Sequence, residues 1–211
     1  MKYLYTPPAY VKMLFKDFKW NTSNNKILLT FDDGPDLLTT ERILKQLNDL
    51  NIKALFFCLG LNIKNHTGLA TEILKEGHII GNHSYNHKNF KLLDKNEIIN
   101  EVVSTNLLLE DKLNYSPKYF RPPFGRFPLN FNTIMKELRM TNVMWSLLSL
   151  DYRNEMKYVK FTVEKYLKRN SVIVFHDNQM GLKIIPDNIK YLYDYVSNRS
   201  YEFGDSSECL K

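Results

Sequence analysis

Two adjacent acids, Asp32 and Asp33, and two histidines four residues apart, His83 and His87, are the side chains of this sequence best suited to chemistry. One carboxylate and two imidazoles suffice to hold a catalytic divalent metal with coordination positions left open. The second carboxylate is then free to handle protons beside a metal-activated water. The acids close the apolar run Ile27-Leu28-Leu29-Thr30-Phe31 and precede the turn residues Gly34-Pro35, so they read as cargo at the end of a strand. Asp, Gly and Pro make turns for backbone reasons of their own, and the pair gains meaning only beside the histidines. In His83-Ser84-Tyr85-Asn86-His87 the spacing predicts one helical face, from which both rings reach one ion.

Three further segments carry groups of the right kind. His176 directly follows Val172-Ile173-Val174-Phe175, which makes it a candidate general acid at another strand end. Arg121-Pro122-Pro123-Phe124-Gly125 is a stiff, poorly helical run. It suits an arginine held against a carboxylate and a backbone N–H offered to a developing oxyanion. Asp151 beside Tyr152 is, taken alone, an ordinary loop acid next to an aromatic.

Short apolar runs alternating with helical patterns are what must position these groups. Strands are predicted over 26–31, 53–59, 78–81, 118–121, 141–146 and 171–175, with a last one at 201–203. Helices are predicted over 39–50, 69–76, 94–113, 130–139, 156–168 and 187–196. Gly77 stops the second of them, and Asp94 with Glu97 opens the third. The alternation implies an α/β fold with a parallel sheet or barrel. Seven units make it shorter than the eightfold barrel of roughly 250 residues, with chemistry gathered where the strands end. A single domain is expected over 26–204, with an N-terminal extension over 1–25 and a polar tail over 205–211.

Composition removes several classes. The chain has 211 residues, 44% of them apolar, enough for one sizeable core. No apolar stretch reaches the roughly 18 residues of a membrane span. The first 21 residues mix lysines, tyrosines and prolines and lack a signal-peptide pattern, so the default expectation is a cytoplasmic location. Lysines spread along helices make the net charge of +6 a solvated surface, and no nucleic-acid-binding signature accompanies it. Cys58 reads as a buried small side chain and Cys209 as a free thiol in the tail, not as a disulfide pair.

Together these segments resemble the polysaccharide deacetylases of carbohydrate esterase family 4, over about residues 26–203. The motifs stand in the family's order: Thr30-Phe31-Asp32-Asp33-Gly34-Pro35, His83-Ser84-Tyr85-Asn86-His87, Arg121-Pro122-Pro123-Phe124-Gly125, a degenerate fourth at Asp151-Tyr152, and Val174-Phe175-His176. The resemblance implies a distorted (β/α)7 barrel that hydrolyses acetyl groups on N- or O-acetylated sugars of a glycan. It implies a divalent metal on Asp33, His83 and His87, by default Zn2+, with Co2+, Ni2+ or Mn2+ as alternatives set by availability. It makes Asp32 the catalytic base and His176 the catalytic acid, pairs Arg121 with Asp32, and has Asp151 orient His176. Phe124 lends its N–H to the oxyanion, while Tyr152 and Val174 line the acetyl pocket.

Three positions depart from the family pattern. Phe124 stands for the usual Tyr, which a backbone donor tolerates. The fourth motif has Leu148 for its first acid and Tyr152 for Trp, and Val174 replaces Leu, a change worth about 1 kcal/mol. Competing readings are a non-haem iron oxygenase with the same facial triad, a non-catalytic glycan-binding relative, and the same chemistry on a non-sugar amide.

Overall fold

The computed structural model describes residues 5–211; residues 1–4 of the expected N-terminal extension lie outside the described residues. Seven short strands form one parallel sheet. They are β1 (Leu28–Asp32), β2 (Leu55–Cys58), β3 (Ile79–Asn82), β4 (Tyr119–Phe120), β5 (Thr141–Asn142), β6 (Leu147–Leu148) and β7 (Val172–His176). Their spatial order is β5-β4-β3-β2-β1-β7-β6, and every neighbouring pair is parallel. The central strands β1, β2 and β7 are buried on both faces, which is why they read as continuous apolar runs and not as alternating ones. This is the expected seven-unit distorted barrel, open between β5 and β6.

The described helices are α1 (Ala9–Leu14), α2 (Thr40–Asp49), α3 (Gly60–Asn65), α4 (Thr67–Lys75), α5 (Lys95–Leu113), α6 (Phe131–Glu137), α7 (Met156–Tyr166), α8 (Asp187–Ser197) and α9 (Ser206–Cys209). The predicted third helix starts as its sequence required. Asp94 accepts from Glu97 N–H and Glu97 reaches back to Asp94 N–H, closing a capping box. Ile43, Leu44 and Leu47 of α2 join Ile27, Leu29, Phe31, Phe56 and Ile189 in the main core. No described helix is long and apolar enough to cross a membrane.

Three expectations need correction. The strand predicted over 141–146 shortens to β5 at Thr141–Asn142, because the Val143 and Met144 carbonyls accept from the Arg121 guanidinium and not from a neighbouring strand, and β6 begins only at Leu147. The strand predicted at 201–203 reduces to an isolated bridge between Ile27 and Phe203, and β6 takes the seventh place. The polar tail is a docked cap: α9 buries Cys209 and Leu210 against Leu28, Leu55, Phe57, Val143 and Val172. Both cysteines are free and buried. Residues 19–22 lie across the gap between the sheet edges, where Lys19 bridges Val143 and Asn21 bridges Ser171. Phe18 and Trp20 are buried with Phe120 and Phe131.

Candidate active site

The parallel register places the chemistry. Asp32, the last residue of β1, lies directly opposite His176, the last residue of β7. Cys58 opposite Asn82 sets the end of β3, from which His83 emerges. Arg121 follows β4, and all these ends point to one rim. Asp33 turns out of β1 with φ 78°, a left-handed conformation uncommon for any residue with a Cβ, though aspartate tolerates it better than most. It is held there by Asn62 Nδ2 on its carbonyl at 2.7 Å and by its own N–H on Phe57 O at 3.1 Å. The next residue must be glycine: a Cβ at Gly34 would stand 2.2 Å from Asp177 Oδ2. That buried carboxylate is gripped by Thr39 Oγ1 at 2.6 Å and Thr40 Oγ1 at 2.7 Å, and burial pushes its pKa up to about 7.

Asp33, His83 and His87 meet. Asp33 Oδ1 lies 3.2 Å from His87 Nε2 and 3.5 Å from His83 Nε2, and one ligand atom from each residue falls within 4.8 Å of the others. Two atoms bound to one zinc at about 2.0–2.2 Å and a tetrahedral angle lie roughly 3.3–3.5 Å apart, so these spacings fit one ion. Asp33 Oδ1 is buried and has no hydrogen-bond partner, an expensive state for a carboxylate oxygen that a cation relieves. His83 Nδ1 stands 2.7 Å from Arg121 O, so it carries the proton and leaves the Nε2 lone pair toward Asp33. Burial lowers the His83 pKa, which keeps that ring neutral as a ligand must be. For Asp33, burial works toward a higher pKa, but the adjoining His87 ring and the positive charge of His176 carry it well below the usual range. These residues fit a divalent metal.

The helix expected under the two histidines is absent. Residues 83–87 form a loop in which Ser84 and His87 adopt φ 71° and φ 55°. Buried Glu101 of α5 builds that loop, accepting from Tyr85 N–H at 3.0 Å, Asn86 N–H at 2.7 Å and Asn86 Nδ2 at 3.0 Å. Lys88 Nζ adds an ion pair at 3.1 Å. Glu101 went unread in the sequence, although it sits on the helix face of Ile98, Val102 and Leu109.

Arg121, fully buried, reaches Asp32 Oδ1 at 2.6 Å, Thr30 Oγ1 at 2.8 Å, Val143 O at 2.9 Å and Met144 O at 3.0 Å. Asp151, also fully buried, holds His176 twice: Oδ1 lies 2.8 Å from Nδ1, and Oδ2 accepts the His176 backbone N–H at 2.7 Å. Burial opposes a charge on His176, but Asp151 outweighs it, aided by Asp33 and Asp32, and the pKa rises to about 9. Phe124 sits at φ 58° in the turn after Arg121, whose two hydrogen bonds are donated by Gly125 and Arg126, leaving the Phe124 N–H outside them. Gly125 is obligatory there, since a Cβ would meet Trp145 Cη2 at 2.4 Å.

Asp32, Asp33, His83, His87, Phe124, Tyr152, Val174 and His176 line one cavity of about 400 Å³, together with Gly125, Arg126, Trp145, Leu148, Asn178 and Met180. Arg121 and Asp151 stand behind this wall. The ten residues singled out in the sequence are thus brought together. Asn178 was overlooked; its only signal was its place two residues beyond His176.

A profile of the polysaccharide deacetylase family matches residues 19–143, which hold Asp32, Asp33, His83, His87 and Arg121. The chain is 36% identical over 149 residues to peptidoglycan-N-acetylglucosamine deacetylase of Bacillus cereus, covering 71% of this chain and 54% of the relative. It thus spans about half the length of that curated relative. A crystal structure of the Bc1960 peptidoglycan N-acetylglucosamine deacetylase, in complex with 4-naphthalen-1-yl-N-oxidanyl-benzamide, shares the fold with a TM-score of 0.88 at 28% identity. That match covers 97% of this chain and 96% of the other. A CE4 family pseudoenzyme from Bacillus anthracis also matches, with a TM-score of 0.80 at 25% identity over 91% of this chain and 70% of the other. Motif order, fold and profile agree: the chain belongs to the polysaccharide deacetylase family, the CE4 carbohydrate esterases.

Proposed function

We propose that this chain is a metal-dependent hydrolase that removes acetyl groups from N-acetylglucosamine units of a glycan. The observation that carries the reading is one carboxylate oxygen, Asp33 Oδ1, buried without a partner between two imidazoles. A base, Asp32, and an acid, His176, stand in register beside it. Asp33, His83 and His87 would hold the divalent ion, zinc by default. When bound, it supplies Lewis-acid polarisation of the acyl carbonyl and a more acidic water. Asp32, aimed by Arg121, takes the proton from the attacking water. The Phe124 N–H donates to the oxygen on which negative charge develops. His176, charged at neutral pH and steadied by Asp151, donates its Nε2 proton to the departing nitrogen, without which an amine leaves poorly. Tyr152, Val174 and Leu148 give the acyl group an apolar wall.

The named deacetylase relatives support N-acetylglucosamine as the sugar. The B. anthracis match is a pseudoenzyme, so the fold alone does not carry the reading; its support here is the Asp33, His83 and His87 cluster with the Arg121–Asp32 and Asp151–His176 pairs.

Acetate release from N-acetylated chito-oligosaccharide and from peptidoglycan, with and without chelator, tests the reading. Release that chelator abolishes and zinc restores is the expected outcome, and chelator-insensitive release would refute it. Release should also fall as pH rises through about 9, where His176 loses its proton. Asp151→Asn removes the charge that raises this pKa, so the alkaline limb should move to lower pH. The same shift affects stability. With a folded pKa above the ordinary 6.5, the His176–Asp151 pair contributes fully below that value and fades as pH climbs through about 9.

A further inference from the structure

We infer that Asn178 is a positioning residue for the metal centre, limiting Asp33 to one ligand oxygen and setting the affinity of the site. The inference rests on the metal-binding reading above. Asn178 Nδ2 donates to Asp33 Oδ2 at 2.7 Å. The other oxygen, Oδ1, is the one left buried and unpartnered beside His87 Nε2 and His83 Nε2. The two oxygens of a single carboxylate are thereby assigned different tasks.

The amide has no freedom to do otherwise. Asn178 Oδ1 accepts from Met180 N–H at 2.9 Å, so its oxygen faces a donor and its NH2 group must face Asp33. A flipped amide would set oxygen against carboxylate and NH2 against N–H, losing both bonds. The main chain of Asp33 is fixed separately, by Asn62 on its carbonyl and by Phe57 O on its N–H. What remains is rotation of the side chain about its Cα–Cβ and Cβ–Cγ bonds, and the Asn178 hydrogen bond to Oδ2 restrains both. A carboxylate without this restraint can swing Oδ2 toward the ion or turn away, and each binding event must then re-order it. Groups that orient a ligand in this way typically change metal affinity 10–100-fold.

Asn178→Ser separates this role from simple loop architecture. Serine retains an acceptor for Met180 N–H, since both residues cap short helical turns well, but it is too short to reach Asp33 Oδ2. Asn178→Ala removes both bonds. Zinc dissociation constants, from competition with a chromophoric chelator, are compared with melting temperatures of the metal-free proteins. The expected result is about 10–100-fold weaker zinc binding in both variants, with the metal-free serine variant melting like the parent. Parental zinc affinity in the serine variant would overturn the assignment. So would weakened binding that appears only with a matching loss of metal-free stability, because Asn178 would then be holding the loop and not the ligand. If the parent shows no one-to-one zinc binding abolished by Asp33→Ala, the metal reading itself fails, independently of Asn178.

Discussion

Asp32→Asn is expected to lower kcat about 10²–10⁴-fold while zinc binding persists, since a positioned general base contributes about that much. The loss should fall equally on kcat and kcat/KM, because proton removal from the attacking water belongs to the transition state and not to substrate binding. The amide is nearly isosteric and keeps an oxygen for Arg121 Nη1, now 2.6 Å from Asp32 Oδ1. Its cost in proton transfer is therefore separable from a change of shape. Asp32 Oδ2 stands 4.0 Å from His83 Nε2, beside the ligand set without belonging to it. Steady-state kinetics with metal analysis of the same preparation checks both halves, and kcat within tenfold of the parent would remove Asp32 from the role of base.

Arg121→Met is expected to destabilise the fold by about 3–5 kcal/mol, the usual consequence of stranding one member of a buried ion pair. For a domain of this size that is a fall of roughly 6–20 °C in melting temperature. The guanidinium is wholly buried and serves four acceptors in two segments: Asp32 and Thr30 on β1, and the Val143 and Met144 carbonyls between β5 and β6. Its plane also stacks over the Phe57 ring at 4.1 Å. Methionine fills much of the volume but satisfies none of the acceptors and leaves Asp32 beside a neutral group. Arg121→Lys should do little better, since one ammonium cannot reproduce a planar fork. Thermal unfolding checks this, and a shift under about 2 °C would mean that Arg121 is dispensable to the sheet edge.

The sequence is most legible where backbone periodicity and site chemistry coincide. Asp32, Asp33, His83, Arg121 and His176 each follow an apolar run, so recognising the strands also located the rim. The failures share a different cause, contacts between residues distant in sequence. The spacing of His83 and His87 suggested a helix because helices are the local way to align positions four apart. The actual loop is shaped by Glu101, on another element, through three N–H groups. The early end of β5, which leaves 143–146 outside the named strands, follows from the Val143 and Met144 carbonyls being claimed by Arg121 on another element. The 205–211 tail is polar in composition, yet one turn of helix with its own Asp205–Glu208 capping box suffices to turn Cys209 and Leu210 inward. Asn178 carries no local pattern, and its importance comes from the two partners that fix its amide.

Anomalous diffraction from crystals of the zinc-loaded protein, collected on both sides of the zinc edge, decides whether the three ligands share one ion. A single strong peak is expected about 2.0–2.2 Å from each of Asp33 Oδ1, His83 Nε2 and His87 Nε2, with Asp32 unbound beside it. A peak elsewhere, or full zinc occupancy with any of those three side chains turned away, would be incompatible with the proposed chemistry.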